Sequence, residues 1–252
     1  MHLPFDEIGS GTPLVLLHAG IADRTMWTEH LAPLAEAGYR VVAPDLPGFG
    51  AARVAPGEQA PWADVLEFLD SLGLDQVALV GNSFGAAVAL RMATVEPDRV
   101  TAMVLISASA PTLEPPAELE EMWEAEESAL DHGDVDAAVA AVLRTWTLPG
   151  ASPELRERIA AMQRRAYEQQ AKAPETTEAP DPVEDDPTVL AGLAVPALVA
   201  AGEFDLSYFR ESAVELGRLL PSGRSTVIPG AGHLAPLEAP ELFRHLVLDF
   251  LR

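Results

Sequence analysis

The stretch Val77–Ala93, VALVGNSFGAAVALRMA, constrains this chain more than any other. Four apolar residues, Val77 to Val80, make a continuous run of the kind found in a strand buried on both faces. The segment after Gly85 is apolar nearly all round, as a helix packed inside a protein is. Between them stands Gly81-Asn82-Ser83-Phe84-Gly85, a G-x-S-x-G turn from strand to helix. Glycine at either end lets strand and helix pass closely, where a Cβ would strike the opposite backbone. Ser83 is thereby expected on a sharp turn, with its hydroxyl at the carboxyl end of the strand. The N–H of Phe84, at the helix start, is expected to face an anionic oxygen beside that hydroxyl.

The rest of the chain supplies a setting for this turn. Short strands are expected at Phe5–Ile8, Leu14–Leu17, Val41–Ala43 and Val100–Ile106, with helices near Met26–Ala37 and Trp62–Leu72. Strands alternating with helices of this length predict an α/β fold with a mostly parallel sheet and helices on both faces. The alternation stops after residue 110. Residues 111–187 show no convincing strand but three amphipathic helices, the first carrying Leu119, Met122 and Trp123 and the second Val135, Val139, Val142 and Trp146. The third opens with Ser152 as N-cap and Pro153 at the first helical position. An acid- and proline-rich stretch from Ala173 to Pro187 reads as a mobile connection. Strand and helix signals then resume to the end, so residues 1–110 and 188–252 are expected to form one core domain and 111–187 an inserted helical cap.

Composition excludes several classes of function. A formal charge of −23, of which the 111–187 insertion carries −13, argues against nucleic acid or an anionic membrane surface as partner. With no cysteine there is neither a disulfide nor a thiolate metal site. No apolar run is long enough to span a bilayer, and the first residues lack the pattern of a signal peptide, so a cytoplasmic location is expected. The expected partner is a small molecule, and the chain is expected to be a monomer or homodimer.

A serine hydroxyl is a poor nucleophile near neutral pH unless a base takes its proton, and that base is usually a histidine oriented by a carboxylate. Of six histidines, His30, His132 and His245 fall in helices among charged residues, where a solvated face is the simpler explanation. His233 follows a strand directly, in Pro229-Gly230-Ala231-Gly232-His233, at the sheet edge where ligands gather. Glu203 and Asp205 share that edge in Ala201-Gly202-Glu203-Phe204-Asp205. Asp205 is the preferred acid and Glu203 the fallback, since two residues of loop are too fine a distinction at this level.

With the order Ser83…Asp205…His233, the elbow and the loop after the last strand, the chain resembles the α/β-hydrolase superfamily of esterases, lactonases, cofactor-free haloperoxidases and carbon–carbon bond hydrolases. That resemblance implies Ser83 as nucleophile, His233 as base and Asp205 as its orienting acid. It implies Gly20, in His18-Ala19-Gly20, as a second oxyanion donor beside Phe84, with His18 structural and no cofactor or metal required. Ala19 stands where the family usually has glycine. The activity implied first is hydrolysis of a small apolar ester or lactone; carbon–carbon hydrolysis, a haloperoxidase-like reaction and a non-catalytic ligand-binding role are the alternatives. Met26, Trp27, Met122, Trp123 and Trp146 are candidate pocket residues, and Arg144 is expected at the surface.

Overall fold

The computed structural model describes residues 2–252. In chain order the elements are β1 (Phe5–Ile8), β2 (Thr12–Leu17), α1 (Thr28–Glu36), β3 (Tyr39–Pro44), β4 (Gly57–Gln59), α2 (Pro61–Ser71), β5 (Val77–Asn82), α3 (Phe84–Val95) and β6 (Val100–Ile106). There follow α4 (Ala117–Asp131), α5 (Val135–Trp146), α6 (Pro153–Gln170), β7 (Thr176–Glu178), β8 (Ala197–Gly202), α7 (Ser207–Leu219), β9 (Gly223–Ile228), α8 (Ala235–Glu238) and α9 (Pro240–Leu251).

Seven strands form one sheet in the order β1-β3-β2-β5-β6-β8-β9, parallel throughout except for β1, which runs antiparallel to β3 at the edge. All six residues of β5 and of β8 are buried, as strands covered on both faces require. The two faces carry separate apolar layers. One groups Val15, Val42, Leu79 and Leu105 with Phe68 and the small residues of α3; the other groups Leu14, Leu16, Val80 and Val104 with Trp27, Leu34 and Phe243. Alternate residues of one strand thus feed opposite layers, and truncating a side chain such as Leu79 costs about 2–5 kcal/mol.

The strand order reverses between β2 and β5. From β2 the chain steps outward to β3, then returns past β2 to lay down β5 on its other side. The loops after β2 and β5 therefore diverge at one point and leave a crevice at the carboxyl edge. Ser83 and Gly20 meet there.

Three expectations need correction. His30 is buried, not solvated: its Nε2 is 2.9 Å from the carbonyl of Pro236 and its ring stands edge-on to Trp27 and Phe243. The helix turns that residue toward α9, more than 200 positions away, which its charged neighbours conceal. A strand does exist within 111–187, since β7 pairs parallel with β4, but its three residues Thr176–Glu178 are exposed and carry no apolar alternation. The acid-rich stretch is also fastened down. Arg91 pairs with both Asp181 and Glu184, and Val183 is buried in the core. Among the described residues, no helix is long and apolar enough to cross a membrane.

Candidate active site

Ser83 occupies the turn between β5 and α3 at φ 53° and ψ −114°, a conformation that side-chain-bearing residues rarely adopt. Holding it costs about 1–3 kcal/mol, supplied by the packing around it. The glycines on either side explain how the turn closes. A Cβ on Gly81 would lie 2.4 Å from the carbonyl oxygen of Gly85, and one on Gly85 would lie 2.1 Å from that of Leu17. Phe84 opens α3, so its N–H is one of those that the helix itself leaves without a partner. Gly20 lies against it: a Cβ there would be 3.4 Å from the Cβ of Phe84.

The loops after β8 and β9 are tied to each other. The N–H of Glu203 donates to the carbonyl of Ile228, and that of Phe204 to Ala231. This brings His233 beside Asp205, with Nδ1 3.0 Å from Oδ1 and both residues about 5% exposed. The carboxylate is fully engaged: Leu206 N–H donates to Oδ1 at 2.8 Å, and the Ser107 hydroxyl donates to Oδ2 at 2.7 Å. With Nδ1–H committed to Asp205, the imidazole keeps Nε2 for another partner. Glu203 points elsewhere, accepting from the N–H of Gly230 on the exposed side.

Ser83, Gly20, Phe84 and His233 line one cavity of about 460 Å³, roofed by side chains of α4, α5 and α6. A more open depression of about 1000 Å³ lies on the other side of Asp205, between Leu148–Leu155 and Glu203–Phe204, but it does not reach Ser83. The smaller cavity is therefore the one in which a serine and an imidazole face the same volume. Rings of Trp146 and Phe209 flank His233, with centroids at 4.3 and 4.5 Å, and shield it from water.

The pocket candidates divide. Trp123 and Trp146 line the cavity. Met26 and Trp27 do not: a short helical turn at Arg24–Trp27 directs both into the apolar layer with Phe243, where neither is exposed. Met122 packs between Leu119, Val142 and Phe209 rather than facing the cavity. Arg144 is exposed and outside the lining. His18 is wholly buried, with Nδ1 directed at the Ala19 carbonyl and Nε2 accepting from the N–H of Leu46, so it ties the loop after β2 to the loop after β3. Burial holds its pKa below the usual value.

Four further residues were not singled out from sequence. Asn82 donates from Nδ2 to the carbonyl of His233 at 3.0 Å, and its place before the serine was the available signal. Ser107, at φ 52° directly after β6, holds Asp205. Glu238 accepts from the N–H groups of Gly232 and Leu148, joining the histidine loop to the segment after α5. Burial raises its carboxyl above the ordinary range. Glu126, on α4, lines the cavity.

Comparison with known proteins agrees with this fold. The family model described as alpha/beta hydrolase fold matches residues 12–240. A 2-hydroxymuconate semialdehyde hydrolase of Pseudomonas putida is 30% identical over 96% of this chain and 88% of its own. A 2-hydroxy-6-oxo-2,4-heptadienoate hydrolase, also of Pseudomonas putida, is 27% identical over 97% of this chain and 91% of its own. Among solved structures, a thermophilic esterase from Thermogutta terrifontis superposes with a TM-score of 0.80 at 29% identity, covering 99% of this chain and 93% of that one.

Proposed function

The chain belongs to the alpha/beta hydrolase fold family, and from that premise we propose that it is a serine hydrolase that cleaves a small, largely apolar ester or lactone through Ser83, His233 and Asp205. The single observation that carries the reading is the His233–Asp205 contact at 3.0 Å in the wall of the cavity that also contains Ser83. Fold alone does not assign chemistry, whereas a histidine paired with a carboxylate, in the wall of a cavity that also holds a serine at a strained turn, supports it.

His233 Nε2 takes the proton of Ser83 as the hydroxyl oxygen attacks the substrate carbonyl. Asp205 keeps Nδ1 protonated and stabilises the imidazolium that forms, while the Ser107 hydroxyl and Leu206 N–H hold the carboxylate in place. The N–H groups of Gly20 and Phe84 receive the oxyanion; by comparison with measured donors elsewhere, each lowers the barrier by roughly 3–4 kcal/mol. The leaving alcohol takes the proton from His233. Water, activated by the same imidazole, then releases the acid from the acyl-enzyme. No step in this scheme calls on a metal or an organic cofactor. Residues 111–187 act as a cap whose Trp123 and Trp146 give the cavity its apolar wall.

Hydrolysis of p-nitrophenyl esters from acetate to octanoate, compared with Ser83→Ala, tests the reading. Turnover is expected to fall at least ~10³-fold in the variant, and activity that survives the substitution counts against Ser83. Carbon–carbon bond hydrolysis is a second reading, favoured by the two Pseudomonas putida relatives that the chain matches over nearly its whole length. A 2-hydroxy-6-oxodienoate offered beside the esters separates the two.

A further inference from the structure

Apart from His233, the titratable groups in the walls of the Ser83 cavity that bear charge at neutral pH are carboxylates. Among the described residues, no lysine or arginine lines it, while Glu126 and Glu184 do. Glu184 is already paired with Arg91. Among the described residues Glu126 has no cation partner. Its Oε1 accepts from the Tyr167 hydroxyl at 2.6 Å, a neutral donor on α6. Burial raises this carboxyl above the ordinary range, as expected for a group short of both water and a counter-charge.

A second observation points to the same place. Gln163, one helical turn before Tyr167 and hydrogen-bonded to it through its side chain, lines the cavity and is only 3% exposed, yet its Oε1 has no hydrogen-bond partner among the described residues. A buried amide oxygen left so is uncommon, because its desolvation is not offset. Trp123, three residues before Glu126 on α4, lines the same wall and offers a π face at the spacing that puts two side chains on one side of a helix. Carboxylate, unpaired carbonyl oxygen and indole all favour one kind of guest. That guest is a cation able to donate hydrogen bonds.

We propose that the substrate of this site is an ester or lactone bearing a primary or secondary amine in its ammonium form, seated between Glu126, Gln163 Oε1 and the indole of Trp123. The proposal rests on the reading of Ser83 as nucleophile for its carbonyl end only. The ammonium donates to Glu126 and to Gln163 Oε1, and the remaining apolar part lies against Trp146 and Phe209. A carboxylate in the same position would meet Glu126 with no lysine or arginine in the lining to offset the repulsion, so acids and dienoates are disfavoured.

The test needs no turnover. Benzylammonium, benzyl alcohol and benzoate share one ring and differ in charge, and titration calorimetry gives their affinities for the intact protein. Benzylammonium is expected to bind about tenfold tighter than benzyl alcohol, with benzoate weakest, as a partly screened charge pair implies. Glu126→Gln should bring benzylammonium to within about twofold of benzyl alcohol. Gln163→Met, read in parallel with thermal unfolding of both variants, should weaken benzylammonium and leave benzyl alcohol unchanged. Benzoate binding as tightly as benzylammonium, or a cation preference that persists in both folded variants, overturns the proposal. Loss of Ser83-dependent ester hydrolysis would count against the nucleophile while the order of affinities stood.

Discussion

The indole of Trp146 lies against the imidazole of His233, ring centroids 4.3 Å apart and planes inclined by 42°. Trp146 is the last residue of α5, so a helix lying between β6 and β8 in the chain supplies a wall of the cavity. With Leu119, Met122, Val142 and Phe209 it forms one apolar cluster that joins α4, α5 and α7.

Replacing Trp146 by alanine is therefore expected to act twice. Stability should fall by about 3 kcal/mol, as for other buried aromatic truncations, read as a shift in the urea midpoint. The kcat/KM for apolar esters should fall by about tenfold or more, because an imidazole freed of its wall loses its fixed position. Trp146→Phe keeps an aromatic surface and should retain most of both. Unchanged activity in Trp146→Ala would detach the inserted helices from the chemistry.

Asp205 and Glu203 separate cleanly by geometry, and kinetics should follow. Asp205 receives Nδ1 of His233, Leu206 N–H and the Ser107 hydroxyl, whereas Glu203 receives only Gly230 N–H. Asp205→Asn should lower kcat by about 10⁴, the loss seen when an imidazole is held in the wrong tautomer. Glu203→Gln should stay within about threefold, since exposed loop hydrogen bonds contribute little. Equal losses would mean that the histidine has moved between the two acids.

His30 gives a pH dependence that has nothing to do with activity. Burial among Trp27, Phe243 and the Pro236 carbonyl lowers its pKa to about 4. The unfolded chain binds a proton there near 6.5, so between those values the unfolded state gains protons that the folded state refuses. Stability is thus complete above 6.5 and is lost as pH falls, by about 2 kcal/mol at pH 5. His30→Gln keeps an N–H for Pro236 and does not titrate, so its urea midpoint should fall less than that of the wild type between pH 7 and pH 5. Parallel losses in the two proteins would contradict the account.

What could be read from the sequence was what is local. The strand, elbow and helix of Val77–Ala93 depend on residues within one stretch, and β5 and α3 stand where the apolar run and the glycines require. Asp205 and His233 could be nominated because each lies in a loop at the carboxyl end of a strand, three and five residues past β8 and β9. What escaped depends on partners far along the chain. Met26 and Trp27 sit close in sequence to Gly20, but the turn at Arg24–Trp27 aims them at Phe243 of α9. Ser107 has no signature beyond its position after β6, and its role exists only because β8 lies next to β6. Glu126 and Tyr167 are 41 positions apart, and only the packing of the helices between β6 and β8 brings the hydroxyl of one to the carboxylate of the other. The acid-rich stretch looked unattached because its composition hides two contacts, Arg91 with Asp181 and Val183 with the core.

The nucleophile itself is the most direct point of attack. Diethyl p-nitrophenyl phosphate transfers a diethylphosphoryl group to a serine activated by an imidazole, releasing p-nitrophenolate, and peptide mass spectrometry locates the group. The expected result is one adduct, on the peptide containing Ser83, formed at a rate that collapses in Asp205→Asn. Ester hydrolysis that continues with Ser83 unlabelled, or a label on any other serine, would contradict the account.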